Sequence, residues 1–137
     1  MIRLFLDTNI VMDLLDKRAP FCDDAARLFA EAYHKRLQLI VSPITYATAS
    51  YLLSKHNSPE VVRNLLANFR QLSHVAATDE RVIDDSIASQ FDDFEDALQY
   101  YTAIKAKADY IITRNGKDFE SSKIPVMTAA EYLAANN

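Results

Sequence analysis

The chain has 137 residues, of which 50% are hydrophobic and 25% are charged, and its formal net charge at pH 7 is −4. This size and composition predict one globular domain, residues 1–137, with a hydrophobic core of ordinary extent. The negative charge argues against a basic nucleic-acid-binding surface over the whole protein, and a single glycine, Gly116, excludes glycine-rich phosphate loops.

The single cysteine, Cys22, excludes an intramolecular disulfide and favours a reducing, cytoplasmic location. No apolar run reaches the roughly 20 residues of a membrane span. The N-terminus also lacks a signal-peptide pattern, so no membrane association is expected. The three histidines are not spaced as zinc ligands, and a zinc site is not expected.

Short apolar runs alternate with helical patterns along the chain. In chain order we predict a strand at 2–6, helices at 8–16 and 20–36, a strand at 37–42, helices at 43–56 and 59–72, a strand at 74–77, helices at 79–90 and 94–107, strands at 109–113 and 124–127, and a last helix. Pro20 suits a first helical turn, and Ser58, Thr78 and Thr128 are predicted helix N-caps. The alternation predicts an α/β fold, a three-layer α/β/α sandwich around a mostly parallel sheet of four to five strands.

Four acids crowd together where the helix at 94–107 begins: Asp92, Asp93, Glu95 and Asp96. Capping and the helix dipole explain them without any function, because carboxylates at a helix start accept hydrogen bonds from free N–H groups. A chemical site would require carboxylates from elsewhere in the chain to converge on the same place.

Three acids meet that requirement. In a right-handed crossover, helix starts and strand ends lie at the same edge of the sheet, where ligands bind. Asp7 follows the first strand, Asp118 lies beyond the fourth, and Asp96 begins the helix that leads into the fourth. Each alone is explained as a cap or turn residue; the three together predict a shared site. Asp13 and Glu60 are candidates for further contributors to the site, but nothing in their spacing favours that role over a solvated surface position.

Two segments carry a family resemblance: LFLDTNIVMDLL (4–15) and DFEDALQYYTAIKAKADYIITRNGKDF (93–119). Together they resemble the PIN domain family, a nuclease fold whose small bacterial members include VapC-type toxin ribonucleases. The resemblance runs from Ile2 to about Met127. It implies catalytic and metal-binding roles for Asp7, Asp96 and Asp118, with supporting polar side chains from Asn9, Thr113 and Asn115.

One position departs from this resemblance. Toxin-type PIN domains usually carry a Glu in the helix after the second strand, in a pattern resembling S-x-x-T-x-A-E. The corresponding segment here is SPITYAT (42–48), so Thr48 stands where that Glu is expected. Thr48 offers a hydroxyl group but no charge, which leaves three carboxylates where the family has four or five.

The resemblance implies a metal-dependent endoribonuclease that leaves 5′-phosphate and 3′-hydroxyl ends. Carboxylates suit Mg²⁺ or Mn²⁺, and such ions can activate water and neutralise a phosphate. Arg114 and Lys117 are expected to contact substrate phosphates. The resemblance also implies an RNA substrate, a homodimer and, for a toxin of a type II toxin–antitoxin pair, an antitoxin partner.

Three alternatives stay open. The neutral Thr48 favours a degenerate PIN domain that binds RNA or a protein partner without cleaving. A phosphatase or receiver-like domain could use Asp7 as phosphoryl acceptor, but the second acid typical of such phosphatases is replaced by Asn9. A plain scaffold domain would make the convergence of three acids accidental.

Overall fold

A computed structural model describes residues 1–136 and contains a five-stranded sheet in which every pair of neighbouring strands is parallel. The strand order is β3-β2-β1-β4-β5. The strands are β1 (Ile2–Leu6), β2 (Leu37–Val41), β3 (Ser73–Val75), β4 (Tyr110–Ile112) and β5 (Val126–Met127). The predicted α/β sandwich with a parallel sheet is confirmed.

Seven α-helices surround the sheet in the described part of the chain. They are α1 (Thr8–Leu15), α2 (Cys22–Tyr33), α3 (Pro43–Leu53), α4 (Pro59–Leu72), α5 (Glu80–Ile87), α6 (Phe94–Lys105) and α7 (Ala129–Ala135). A single 3₁₀ turn at Gly116–Phe119 was not predicted. None of the helices within residues 1–136 combines the length and apolar character needed to cross a bilayer.

Alternation along the central strand β1 creates the three layers. Leu4 and Leu6 are buried in one apolar cluster together with residues of α1, α2 and α7. Phe5 points to the opposite face and packs in a second cluster with Tyr100 of α6. Because neighbouring side chains of a strand face opposite sides, one short run of apolar residues anchors helices on both faces of the sheet.

Two of the three predicted helix caps are confirmed. The Ser58 hydroxyl accepts from the Val61 N–H at 3.3 Å, and Thr128 forms a capping box with Glu131. The prediction for Thr78 was wrong, because Asp79 caps α5. Thr78 instead shares a 2.9 Å hydrogen bond with the hydroxyl group of Thr102.

Helices α2 and α6 end earlier than predicted, at Tyr33 and Lys105. Lys35 and Lys107 follow them, and each has a φ of 59°, in the left-handed region that stops a right-handed helix. Helix α2 also begins later than predicted, at Cys22, so Pro20 lies before its first turn.

The direction in which the chain winds reverses at β1. This strand pairs with β2 on one side and with β4 on the other, and Leu6 of β1 lies opposite Ile112 of β4. In open α/β sheets, ligands bind at such a reversal, beyond the carboxyl ends of the strands. Asp7 directly follows the end of β1, and Thr113 directly follows the end of β4.

Candidate active site

Asp7 lies at the junction of β1 and α1 and is only 8% exposed. It is the N-cap of α1, and its Oδ1 accepts a 2.9 Å hydrogen bond from the Thr8 N–H. Its Oδ2 accepts from the Thr113 hydroxyl at 2.8 Å. The capping explanation is therefore correct for Asp7, and it leaves the carboxylate fixed at the switch point of the sheet.

Asn9 and Thr113 both donate hydrogen bonds to this carboxylate. The Asn9 amide donates to Asp7 Oδ2 at 3.3 Å and to Thr113 Oγ1 at 3.2 Å. Asn9 Oδ1 accepts from the N–H of Arg114 at 3.2 Å, and Thr113 Oγ1 accepts from the N–H of Asn115 at 3.0 Å. These bonds tie the start of α1 to the loop that follows β4.

The charge on Asp7 is costly in this environment. Burial raises the pKa of Asp7 above its ordinary value of 3.8, and the negative charge of Asp118 raises it further. The hydrogen bonds from Thr113 and from the Thr8 N–H act in the opposite direction, since they stabilise the ionised carboxylate. Asp7 and Asp118 are thus close enough to repel each other.

Asp96 is the second carboxylate of the group and lies half-buried in the first turn of α6. Burial raises the pKa of Asp96 from 3.8 to about 7, helped by the negative charges of Asp93, Asp7, Asp118 and Glu95. Asp93 is the N-cap of this helix, where its Oδ1 accepts from the N–H groups of Glu95 and Asp96 at 2.8 and 3.2 Å. The acid cluster therefore has two roles. Asp93 caps the helix, and Asp96 interacts through its charge with Asp7 and Asp118.

Asp118 is the most exposed of the three acids and lies in the 3₁₀ turn after β4. Asn115 and Lys117 of the same loop are also exposed. Among residues 1–136, no three His, Cys, Asp or Glu side chains are close enough to form a ready-made metal site. The three acids interact through their charges without already enclosing an ion.

The donor set nevertheless suits a hard divalent cation. The predicted ligands are carboxylates, and oxygen donors are preferred by Mg²⁺ and Mn²⁺. Burial is the main cause of the raised pKa values of Asp7 and Asp96, and the negative charges of neighbouring carboxylates raise them further. A bound cation would relieve that repulsion.

A buried polar network behind Asp7 was missed in the sequence analysis. Gln99, which is 1% exposed, donates from Nε2 to the hydroxyls of Thr8 and Thr45 at 3.3 and 3.1 Å. Its Oε1 accepts from the Ser42 hydroxyl at 2.5 Å. Ser42 is the N-cap residue of α3, yet its side chain makes no capping bond. The network therefore joins the starts of α1 and α3 to α6.

The position of Gln99 offered one signal that could have identified this network. It lies three residues after Asp96, so the two residues occupy neighbouring turns on the same side of α6. A polar residue at that spacing could have been predicted to form hydrogen bonds near the acid site. Its three hydroxyl partners come from distant segments and carry no comparable signal in the sequence.

Thr48 contacts the acid group through Glu95. Its hydroxyl donates to Glu95 Oε1 at 3.5 Å, the longest hydrogen bond at the site. Glu95 in turn contributes negative charge to the surroundings of Asp96. Glu95 was predicted to be a charge at the helix start. It also contacts Thr48, the residue at the position where the family resemblance implies a Glu.

Arg114 makes a different contact from the predicted one. Its Nε and Nη2 donate to the two carboxylate oxygens of Asp13 at 2.8 and 3.0 Å. The prediction that Asp13 is a solvated surface residue was wrong, because it is 1% exposed. Two guanidinium nitrogens are thus engaged within the protein, and Lys117 remains the exposed basic side chain beside the acids.

Comparisons with known proteins found similarity in sequence and in fold. A family model described as PIN domain matches residues 3–117. Ribonuclease VapC1 of Aquifex aeolicus (strain VF5) is 25% identical over 134 residues, covering 95% of this chain and 92% of the relative.

Solved structures show the same fold. VapBC2 from Rickettsia felis, bound to a DNA fragment from its promoter, superposes with a TM-score of 0.69 at 19% identity, covering 92% of this chain and 97% of the other. A toxin–antitoxin complex from Klebsiella pneumoniae gives a TM-score of 0.68 at 24% identity, with 92% and 97% coverage. Family model, relative and fold agree over nearly the whole chain, which belongs to the PIN domain family.

Proposed function

We propose that the chain is a metal-dependent endoribonuclease and the toxin of a type II toxin–antitoxin pair, acting as one domain over residues 1–137. The observation that carries the proposal is the electrostatic interaction of Asp96 with Asp7 and Asp118 at the β1–β4 edge of the sheet. These acids come from three separate segments; the charge of Asp118 raises the pKa values of Asp7 and Asp96, and the charge of Asp7 also raises that of Asp96. Helix capping alone would not bring them together.

Asp7, Asp96 and Asp118 would hold Mg²⁺ or Mn²⁺. Such an ion would supply a water of lowered pKa and would neutralise the charge of the phosphate. Asp7 is fixed by its hydrogen bonds, whereas Asp118 is exposed and can change rotamer on a fast timescale. The set can thus tighten around a cation even though it is not preformed.

Other side chains prepare the site. Asn9 and Thr113 hold the Asp7 carboxylate in one orientation, while Asn115 and Thr48 supply neutral polar groups at the rim. Lys117, on the exposed loop beside Asp118, contacts a substrate phosphate. Attack of water on the phosphorus breaks the bond to the 3′ oxygen and leaves 5′-phosphate and 3′-hydroxyl ends.

The biological setting follows from the named relatives. The solved structures similar to this chain include toxin–antitoxin complexes, which supports an antitoxin that covers the acids. We extend the proposal to a cytoplasmic homodimer, the arrangement that the family resemblance implies.

The proposal is tested by RNA cleavage with Mg²⁺ and with Mn²⁺, comparing the wild-type chain with Asp96→Asn. We expect cleavage by the wild type, dependence on the metal, and loss of activity of at least about a hundredfold in the variant. Asp92→Asn is the matched control, because Asp92 is an exposed acid of the same cluster. Equal activity in wild type and Asp96→Asn would refute the assignment of Asp96.

A second candidate function is RNA binding without cleavage. It is favoured by Thr48, which supplies no charge, and by the lack of a ready-made group of three ligands within residues 1–136. RNA binding by a wild-type protein that cleaves no RNA with either metal would support it over the nuclease.

A further inference from the structure

A cavity of about 350 Å³ lies between α1, the start of α2 and the start of α7. Its lining includes Phe21, Asp24, Ala25, Ala129 and, from the loop after β4, Arg114. This volume falls in the range of small-molecule pockets, about 300–1,000 Å³. The proposed nuclease function gives this cavity no role.

The cavity is lined by an aromatic ring and a guanidinium group that lie against each other. Phe21 is 41% exposed, and the guanidinium carbon of Arg114 lies 4.0 Å from the centre of its ring. Two bonds to the buried Asp13 carboxylate fix the guanidinium plane. Unpaired nucleobases stack on both kinds of surface, aromatic rings and guanidinium planes.

The charges of the lining favour a neutral ring over a phosphate group. Arg114 carries one positive charge, and the Asp13 carboxylate already balances it. Asp24 adds a second carboxylate to the lining, with Arg27 only 3.9 Å away at the surface. A carboxylate accepts hydrogen bonds and repels phosphate, so it suits an amino group on the edge of a base.

The cavity is linked to the acids through a short chain of contacts. The Arg114 N–H donates to Asn9, and the Asn9 amide donates to Asp7. Arg114 therefore connects the two places: its side chain lines the cavity, and its backbone N–H is bound to Asn9, the neighbour of the Asp7 carboxylate.

We propose that the cavity binds one unpaired nucleobase of the RNA substrate, next to the cleaved phosphate, and prefers bases with an exocyclic amino group. Phe21 and Arg114 provide the stacking surface, and Asp24 accepts a hydrogen bond from the amino group. This inference rests on the proposed function for its substrate. It adds a determinant of sequence preference that the three acids cannot provide.

Nucleotide titrations followed by ¹⁵N NMR test this binding without requiring catalysis. The full chain in metal-free buffer is titrated separately with AMP, CMP, GMP, UMP and ribose 5-phosphate. We expect the Arg114 side-chain signal and the Ala25 and Ala129 amides to shift with AMP, CMP and GMP, less with UMP, and not with ribose 5-phosphate. Equal shifts with ribose 5-phosphate, or shifts only at other surfaces, would overturn the proposal.

Two variants sharpen the test, and one serves as control. Phe21→Leu keeps an apolar side chain but removes the ring, and should weaken nucleotide binding about tenfold. Asp24→Asn should abolish the preference over UMP. Tyr33→Leu removes another exposed aromatic ring, at the far end of α2, and should leave binding unchanged. Unchanged binding in Phe21→Leu would contradict the stacking role.

A cleavage assay separates this inference from the nuclease proposal. In an active protein, Phe21→Leu should alter which phosphodiester bonds are cleaved and retain dependence on the metal. An unaltered cleavage pattern would refute the base pocket and leave the nuclease intact. Nucleotide binding in a protein that cleaves nothing would refute the nuclease and leave the base pocket. The inference would also be overturned if a protein partner bound in the cavity and the free chain showed no NMR shifts with any nucleotide.

Discussion

The hydroxyl of Thr113 donates to Oδ2 of Asp7 at 2.8 Å, which joins the ends of two neighbouring strands. Thr113 is 1% exposed and Asp7 is 8% exposed. A hydrogen bond to an ionised carboxylate in such a position is stronger than one between neutral groups. This contact thus stabilises both the fold and the charge that the proposed site needs.

Removal of that hydroxyl should destabilise the protein. Thr113→Val keeps the shape of the side chain and deprives the buried carboxylate of a donor, so we expect a loss of about 1–3 kcal/mol in the free energy of unfolding. The pKa of Asp7 should rise further, because Thr113 stabilises its ionised form. Urea denaturation measures the stability, and Thr113→Ser, which keeps the hydroxyl, should lose much less. An equal loss in both variants would point to packing as the cause.

The raised pKa of Asp96 predicts how stability depends on pH. Between the ordinary value of 3.8 and about 7, the folded protein binds more protons at this carboxyl than the unfolded chain does. Its contribution to stability is therefore favourable at low pH and decreases as the pH rises through this window. Asp96→Asn should be more stable than wild type at about pH 8 in metal-free buffer, with a difference that shrinks towards about pH 4.

Urea denaturation across this pH range measures the difference, and Asp92→Asn again provides a matched control. Addition of Mg²⁺ should stabilise the wild type more than Asp96→Asn, because an ion that binds only the folded state raises its stability by mass action. A constant difference between the two proteins at every pH would contradict the titration of Asp96 in this window.

Gln99 is predicted to position the start of α1. Gln99→Met removes its bonds to Thr8, Thr45 and Ser42. The buried Ser42 hydroxyl then loses its partner, and the hydroxyls of Thr8 and Thr45 keep only the bond to each other. We expect a loss on the order of 3 kcal/mol in stability and a lower kcat for RNA cleavage with little change in KM, measured where the variant remains folded. Leu53→Ala, a core truncation in a separate cluster, should cost similar stability without lowering kcat. Equal effects on kcat would make the role of Gln99 purely structural.

The pair of Arg114 and Asp13 should behave as a buried ion pair. Arg114→Met leaves the Asp13 carboxylate buried and unpaired, and we expect a loss of about 3–5 kcal/mol in the free energy of unfolding. The double variant Asp13→Leu/Arg114→Met should recover most of that loss, since neither charge is then left alone. A double-mutant cycle by chemical denaturation measures the coupling. Additive losses would show that the two side chains act independently.

Thr48→Glu should strengthen metal binding. The new carboxylate would lie near Glu95, which the Thr48 hydroxyl contacts, and would add negative charge next to Asp96. We expect tighter binding of Mn²⁺ by calorimetry and lower stability in metal-free buffer. Thr48→Gln, of the same size but uncharged, should show neither effect. Unchanged Mn²⁺ affinity in Thr48→Glu would mean that position 48 lies too far from the ion.

Much of the fold could be predicted because its signals are local. The bounds of β1 and α4 match the prediction, the latter because Ser58 and Pro59 mark a helix start together. The ends of α2 and α6 were predicted too late. Both depend on a lysine in the left-handed conformation, Lys35 and Lys107, and the sequence gives no sign that a lysine will adopt it.

The candidate site could be predicted only in part. Topology and the family resemblance were enough to bring Asp7 and Asp96 together, because both positions follow from the order of strands and helices. The burial of Asp13 and of Gln99 depends on partners far away in the chain, Arg114 for the first and Ser42 for the second. Such contacts exist only after the helices have packed.

The central position of β1 has a consequence for protein synthesis. The ribosome makes β1 first, but its neighbour β4 begins only at Tyr110. Until that segment has emerged, Asp7 has neither the Thr113 hydroxyl nor the nearby charge of Asp118. Under the proposed function, a nascent chain cannot degrade the message being translated until β4 and the loop after it have been made.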